Sequence, residues 1–230
     1  MIKKKLIEIC EKYILDDPIA IIPEPYIPYI PNDWNKILIL AESQNLSKTN
    51  QNYVDTLKSK SSNEKILRLY DSKNNVGVYP WDDGSLKLAI ESSLNVEESK
   101  TSISNAVLWS QRNQTGANKN PKGKIKDLST EIWDEFLKIL EPKVVITAGK
   151  VAKEVINKTN WKGKKIALRL PSKNAMSRIS GMFNEKDLLE RFPEVKNVVD
   201  MHNDWVKSYS LNKIFYACHA VSLLKDKKLL

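Results

Sequence analysis

The sequence predicts an α/β protein: a three-layer αβα sandwich around a central, mostly parallel sheet of about four strands. Three observations carry this. Ile37-Leu38-Ile39-Leu40-Ala41 is an uninterrupted apolar run followed by polar residues, which is how a strand buried on both faces of a parallel sheet reads. Similar short runs recur at 103–108, 144–148 and 166–170, and segments with helical periodicity separate them, the alternation of an α/β fold. Finally, 41% of the 230 residues are apolar, enough for a buried core and too many for a disordered chain. Seven glycines without a G-X-Y period exclude fibrous classes. No apolar run approaches the roughly 18 residues of a membrane span.

The elements follow in order. Leu6, Ile9, Cys10 and Tyr13 fall at i, i+3, i+4 and i+7, the stripe of an amphipathic helix. Cys10 therefore reads as a small core residue. Five prolines between Pro18 and Pro31 exclude a helix interior there, so residues 1–36 are expected as a helix and a Pro-rich wrap. After the first strand, residues 46–78 read as a polar insertion, mobile or helical, with Ile66, Leu67 and Leu69 as its apolar patch. Gly84 to Leu94 reads as a short helix, Ile103 to Leu108 as the second strand, and 109–128 as a long basic loop. Ser129 or Thr130 can cap a helix carrying Trp133, Phe136, Leu137 and Leu140 on one face, ended by Pro142. Val144 to Ala148 is the third strand, Gly149 a turn, and Val151 to Ile156 a helix with Val151, Ala152, Val155 and Ile156 inward. Ile166 to Leu170 is the fourth strand, stopped by Pro171. Helices near 185–191 and 197–208 and a strand or helix near 214–224 close the chain. No internal repeat or domain break is evident, so a single domain over 1–230 is expected.

Lys and Arg number 37 against 28 Asp and Glu, giving a net charge of +9 and a pI near 9.3. That balance makes polyanions, chiefly nucleic acid, the first partners to consider. The excess is concentrated. Arg112, Lys119, Lys122, Lys124 and Lys126 form one acid-free run; Lys158, Lys162, Lys164, Lys165, Arg169, Lys173 and Arg178 form another. Charge runs are usually solvated faces, but these adjoin the expected ligand rim, which favours phosphate contact. In open parallel sheets ligands bind beyond the carboxyl ends of the strands. That rim would carry Glu42-Ser43-Gln44-Asn45, Asn105, Gly149 and Pro171-Ser172-Lys173-Asn174. Two cysteines are too few for a disulfide scaffold, a structural zinc or an iron–sulfur cluster. His202 and His219 have no ligand spacing, so no metal is expected. Neither GxGxxG nor GxxxxGK[ST] occurs, which argues against a nucleotide-handling enzyme. Lys3, Lys4 and Lys5 are followed by Glu8, Glu11 and Lys12, which interrupt any signal-like apolar region. A cytoplasmic protein is expected.

Three segments, in order, resemble the uracil-DNA glycosylase superfamily. ILILAESQN (37–45) stands where that family has a strand leading into a motif such as GQDPY, GINPG or GEAPG. ISNAVLW (103–109) is similar to the family's strand ending in a base-reading Asn. LRLPSKNAMSR (168–178) looks like its minor-groove loop, HPSPLS or MPSSSAR. Between them, 131–156 matches the family's helix–Pro–strand–Gly–helix connection. The likeness spans roughly 37 to 180 and is closest in character to the mismatch or thymine-type branch. The departures are Ala41 for the usual Gly, Ser43 at the position that often handles water, Gln44 for the usual Pro, Asn45 at the fifth position and Leu170 for the His. The cluster cysteines of the iron–sulfur branch are absent.

The resemblance implies a monofunctional DNA glycosylase that uses water and no cofactor, acts as a monomer on DNA, and neither binds metal nor associates with a membrane. Glu42 is the first choice for the carboxylate that orients water near C1′; its competing role is a structural acceptor for loop amides. Ser43 would help hold the water, and Asp82 and Asp83 are runner-up acids or a solvated turn. Asn105 is the leading base reader, with bonding to its own loop backbone as the bland alternative. Gln44 and Asn45 would line the base, and Trp81 would stack on it or belong to the core. Pro171 and Ser172 would grip phosphate, with Lys173, Arg178, Arg112, Lys119 and Lys122 on neighbouring phosphates. Asn174 and Met176 occupy wedge positions, although Met176 also suits a core gap. The expected targets are uracil or a mismatched pyrimidine, or a hypermodified cytosine of phage DNA in a defence role. A non-catalytic DNA-binding module of the same fold is the alternative class.

Overall fold

The structure, a computed structural model, describes residues 1–16, 20–44, 46, 48–70, 85–117, 121, 123–171, 178–179, 181–182, 187–201 and 211–225. Its strands are β1 (Ile37–Ser43), β2 (Ser102–Val107), β3 (Val144–Ala148) and β4 (Lys164–Leu168). Its helices are α1 (Ile2–Lys12), α2 (Gln51–Lys58), α3 (Ser62–Ile66), α4 (Ser85–Leu94), α5 (Lys124–Leu140), α6 (Lys150–Lys158), α7 (Leu188–Arg191), α8 (Pro193–Met201) and α9 (Leu211–Lys225). The chain forms two compact units. One comprises Met1–Pro80 and Thr101–Leu168, the other Trp81–Lys100 and Arg169–Leu230.

The first unit holds the sheet. Its order is β2-β1-β3-β4, and every pairing is parallel. The class is therefore α/β with a wholly parallel central sheet. Ile37 to Ala41 and all six residues of β2 are buried. Residues pointing to both faces are thus covered, the condition of a three-layer α/β sandwich. Strand ends move by a residue or two from expectation. β1 runs on through Glu42 and Ser43, and β4 starts at Lys164 and stops at Leu168. The latter shift follows from pairing, because β4 matches β3 residue for residue from Val144↔Lys164 to Ala148↔Leu168.

α5 starts earlier than expected, within the stretch read as a basic loop. Ser129 is not a cap: it lies inside the helix, fully buried, and its hydroxyl accepts the Leu108 N–H at 3.2 Å. Ile125, also buried, extends the inward face by a further turn, so the stripe reads 125, 129, 132, 136, 140 with Ser129 as its one polar member. In the expected insertion, the described residues favour helix over mobility. Val54 and Leu57 on α2 pack with Ile22 and Leu46. A reciprocal Ser61–Glu64 capping box starts α3. Ile66 and Leu69 are buried as the patch required, while Leu67 is half-buried. Residues 20–31 form no helix; Tyr29 instead makes an antiparallel bridge to Ile103, and Tyr26 and Ile27 are buried.

In the second unit α4 packs against α8 and α9. The closing element is a helix, α9, and not a strand. α8 begins earlier than expected, at Pro193, a position where the missing N–H costs nothing. Among the described residues, no helix is long and apolar enough to cross a membrane, and no group of three His, Cys, Asp or Glu is placed to hold a metal.

Candidate functional site

With strand order β2-β1-β3-β4, the chain turns one way from β1 and the other way from β3. The topological switch point, where parallel sheets open a crevice, therefore lies between the carboxyl ends of β1 and β3. Glu42 and Gly149 meet there. Gly149 has φ 105° and ψ 167°, a region that residues with a Cβ essentially do not enter. A Cβ on Gly149 would lie 2.5 Å from Glu42 Oε1. That oxygen accepts the Val151 N–H at 3.1 Å, at the start of α6. Glu42 thus supplies from a neighbouring strand the acceptor that a capping side chain would supply from Gly149, at the positive end of the helix dipole. The structural-acceptor role weighed for Glu42 is present in the geometry. Ser43, beside it, is half-buried.

Asn105 has a different setting. The register pairs Ala41 with Asn105, so Asn105 and Glu42 project to opposite faces of the sheet. The strand ends do not bring these two residues together on one face. Asn105 is 4% exposed. Its Nδ2 donates to the Tyr26 hydroxyl at 2.8 Å, so it does not bond its own loop backbone. Its Oδ1 is buried with no hydrogen-bond partner. Buried polar atoms are nearly always paired, and this bare acceptor is an exception that calls for a cause.

Tyr26 leads to a buried cation. The Arg68 guanidinium lies 4.1 Å from the centre of the Tyr26 ring. Arg68 Nε donates to Gln44 Oε1 at 3.1 Å, and Nη1 donates to the Glu24 and Lys65 carbonyls at 2.9 and 2.7 Å. Gln44 Nε2 in turn donates to the Tyr53 hydroxyl at 3.3 Å. The acceptors of Arg68 are thus neutral oxygens, and the Glu24 carboxylate is instead paired with Lys65 at 3.3 Å. Burial pushes the Arg68 pKa below its ordinary value and the Tyr26 phenol above its own. Two of the expected base-lining residues, Gln44 and Asn105, are therefore joined through Tyr26 and Arg68, which sequence reasoning passed over. The signal available for Arg68 was an arginine inside the apolar patch 66–69.

The basic runs are partly spent within the fold. Arg112 donates to the Leu46 carbonyl at 2.6 Å and to Gln51 Oε1 at 2.7 Å, tying down the start of α2. It also lines an open hollow with Asn113, Gln114 and Thr115. Lys126 pairs with Glu154 and Lys158 with Asp127, both at 2.9 Å. Runs that are acid-free along the sequence are not acid-free in space, because α5 and α6 exchange charges across their contact. Phosphate contact is thus not the only use of these cations.

Pro171 is half-buried and Arg178 exposed, both in the second unit. Asn45, Trp81, Asp82, Asp83, Lys119, Lys122, Ser172, Lys173, Asn174, Met176 and His202 lie outside the described residues. His219 is buried on α9, where burial, and then Arg169, hold its pKa below the usual value. Cys10 and Cys218 are free and buried. Burial raises both thiol pKa values, that of Cys218 to about 12, so neither is a reactive thiolate. No protein-family model matches the chain, and no curated protein matches it significantly.

Proposed function

We propose that the protein is a DNA glycosylase that turns a pyrimidine nucleotide out of DNA and hydrolyses its N-glycosidic bond, leaving an abasic site. The observation that carries this reading is Asn105, a buried amide with an unpartnered oxygen near the carboxyl end of a parallel strand. A base turned out of the stack brings its polar edge to such a group. Two further observations support it. The segments that resemble the uracil-DNA glycosylase superfamily at 37–45 and 103–109 fall on the carboxyl ends of adjacent strands. The chain is also strongly basic.

In this reading the C1′–N1 bond breaks with its electron pair leaving on the base. Water adds at C1′, and the water proton is taken up by the departing base. Glu42, its Oε1 pinned by the Val151 N–H, is the carboxylate assigned to orient that water and favour the cationic sugar. Uracil, a mismatched pyrimidine or a hypermodified cytosine of phage DNA are the target classes.

A second reading, a DNA-binding module without catalysis, draws on the placement of Glu42 on the opposite sheet face from Asn105 and on its capping of α6. One experiment separates them. Bases released from uracil-containing, mismatched and phage-modified DNA are identified by mass spectrometry for the wild type and for Glu42→Gln. The amide can still accept from Val151, so the cap survives while the charge is lost. A fall in release of about 100-fold is expected for a catalytic carboxylate. Unchanged release removes Glu42 from the chemistry, and no release by the wild type from any DNA favours the binding module.

A further inference from the structure

Resting on the glycosylase reading, we infer that Tyr26 and Arg68 are positioning residues that fix which end of the Asn105 amide faces the substrate, and so restrict the target to pyrimidines presenting an N–H donor.

An amide that can turn offers a base either a donor or an acceptor. Asn105 is not in that position. Its Nδ2 is engaged by a tyrosine hydroxyl that is itself fully buried. The tyrosine ring is covered by a guanidinium tied at three points, to a side-chain oxygen of Gln44 and two backbone carbonyls. Arg68 is 4% exposed. Its planar fork allows it to stack and to donate along its edge at once, which an ammonium cannot do. The clamp leaves Oδ1 as the end of the amide without a partner. A single desolvated acceptor recognises an N–H and rejects an atom that carries only lone pairs or a methyl group. The N3–H of uracil or thymine and the 4-amino N–H of cytosine-type bases meet that requirement. Their N-methylated analogues do not, and sites built around one buried hydrogen bond reject analogues lacking it by large factors.

The test is single-turnover release of the base from oligonucleotides carrying one of four residues. These are deoxyuridine, 3-methyldeoxyuridine, 5-hydroxymethyldeoxycytidine and its N4,N4-dimethyl derivative. The wild type is expected to release the N–H-bearing member of a pair at least about 100-fold faster than its methylated counterpart. Tyr26→Phe is expected to shrink that ratio at least about tenfold, by slowing the N–H-bearing base alone, because the amide is then free to turn. Arg68→Lys, which keeps the charge without the fork, is expected to act in the same direction and serves if Tyr26→Phe does not fold. A merely structural role would slow both members equally and leave the ratio intact. A wild-type ratio near one overturns the inference while the glycosylase reading stands. So does an unchanged ratio in a variant that retains the wild-type circular dichroism and melting transition. Release of no base by the wild type overturns the reading, and the inference falls with it.

Discussion

Glu42 and Asn105 lie one register step apart on neighbouring strands, yet they differ in whether the fold has already used their polar atoms. On the Glu42 side, a helix N-terminus supplies the donor, and a glycine supplies the space for the carboxylate. That corner is in part a structural joint between β1, β3 and α6. On the Asn105 side, four side chains and a buried cation hold one end of an amide and leave the other bare. Folding gains nothing from an unpartnered buried oxygen; leaving such an atom unsatisfied costs about 1–3 kcal/mol. A carboxylate at a strand end is thus weaker evidence of a site than an amide whose bonding is incomplete.

The sharpest way to break this comparison is to remove the cation. Arg68→Met keeps much of the side-chain volume but deprives Gln44 Oε1 and the Glu24 and Lys65 carbonyls of their donor. Hydrogen bonds to charged groups contribute about 1.5–3 kcal/mol each, and relief of the buried guanidinium's own desolvation offsets part of the loss. A net destabilisation of about 3 kcal/mol is expected in urea unfolding monitored by circular dichroism. A loss below about 1 kcal/mol would show that Arg68 is not a structural element of the first unit, and its burial would then belong to the ligand side.

On the opposite face the corresponding change is Gly149→Ala. The backbone region alone costs about 1–3 kcal/mol for a residue with a Cβ, and the new methyl must displace the Glu42 carboxylate. We expect a loss of about 2 kcal/mol. A double-mutant cycle with Glu42→Ala separates the two causes. With the carboxylate gone the clash disappears and only the dihedral cost remains, so a coupling of about 1 kcal/mol is expected between the two sites. Additivity of the two changes would mean that the carboxylate moves aside freely and that the joint is loose.

Much of the fold was legible in the sequence because a parallel strand buried on both faces must be apolar throughout, and four such runs stand out from a polar chain. What was illegible follows from side chains used against their type. Ser129 reads as a cap because hydroxyls favour helix starts, yet it faces inward to satisfy Leu108 in a turn where the backbone has no strand partner. Arg68 reads as surface because arginine is rarely buried, and its neutral acceptors are carbonyls that no sequence pattern records. The opposed faces of Glu42 and Asn105 depend on the register between β1 and β2. Each strand alone fixes only its own alternation, and two uninterrupted apolar runs give no cue to their relative offset. The acid-free runs misled for a related reason, since Glu154 and Asp127 reach Lys126 and Lys158 across a helix pair.

The mildest test concerns how far the Asn105 network extends. Tyr53 is half-buried, and its hydroxyl accepts from Gln44 at 3.3 Å, the longest contact of the network. Its ring packs against the Ile22, Leu46, Val54 and Leu57 cluster, and Tyr53→Phe keeps that packing while removing the acceptor. Because Tyr53 is half-buried, water can replace part of what Gln44 loses, so the expected cost is about 0.5 kcal/mol. Arg68 would remain held through its backbone acceptors, and the amide of Asn105 would stay clamped. The ratio of release between N–H-bearing and methylated pyrimidines should therefore match the wild type. A ratio that falls as far as it does in Tyr26→Phe would extend the clamp outward through Gln44 to α2, and base selection would then depend on a helix that sequence reading placed in an insertion.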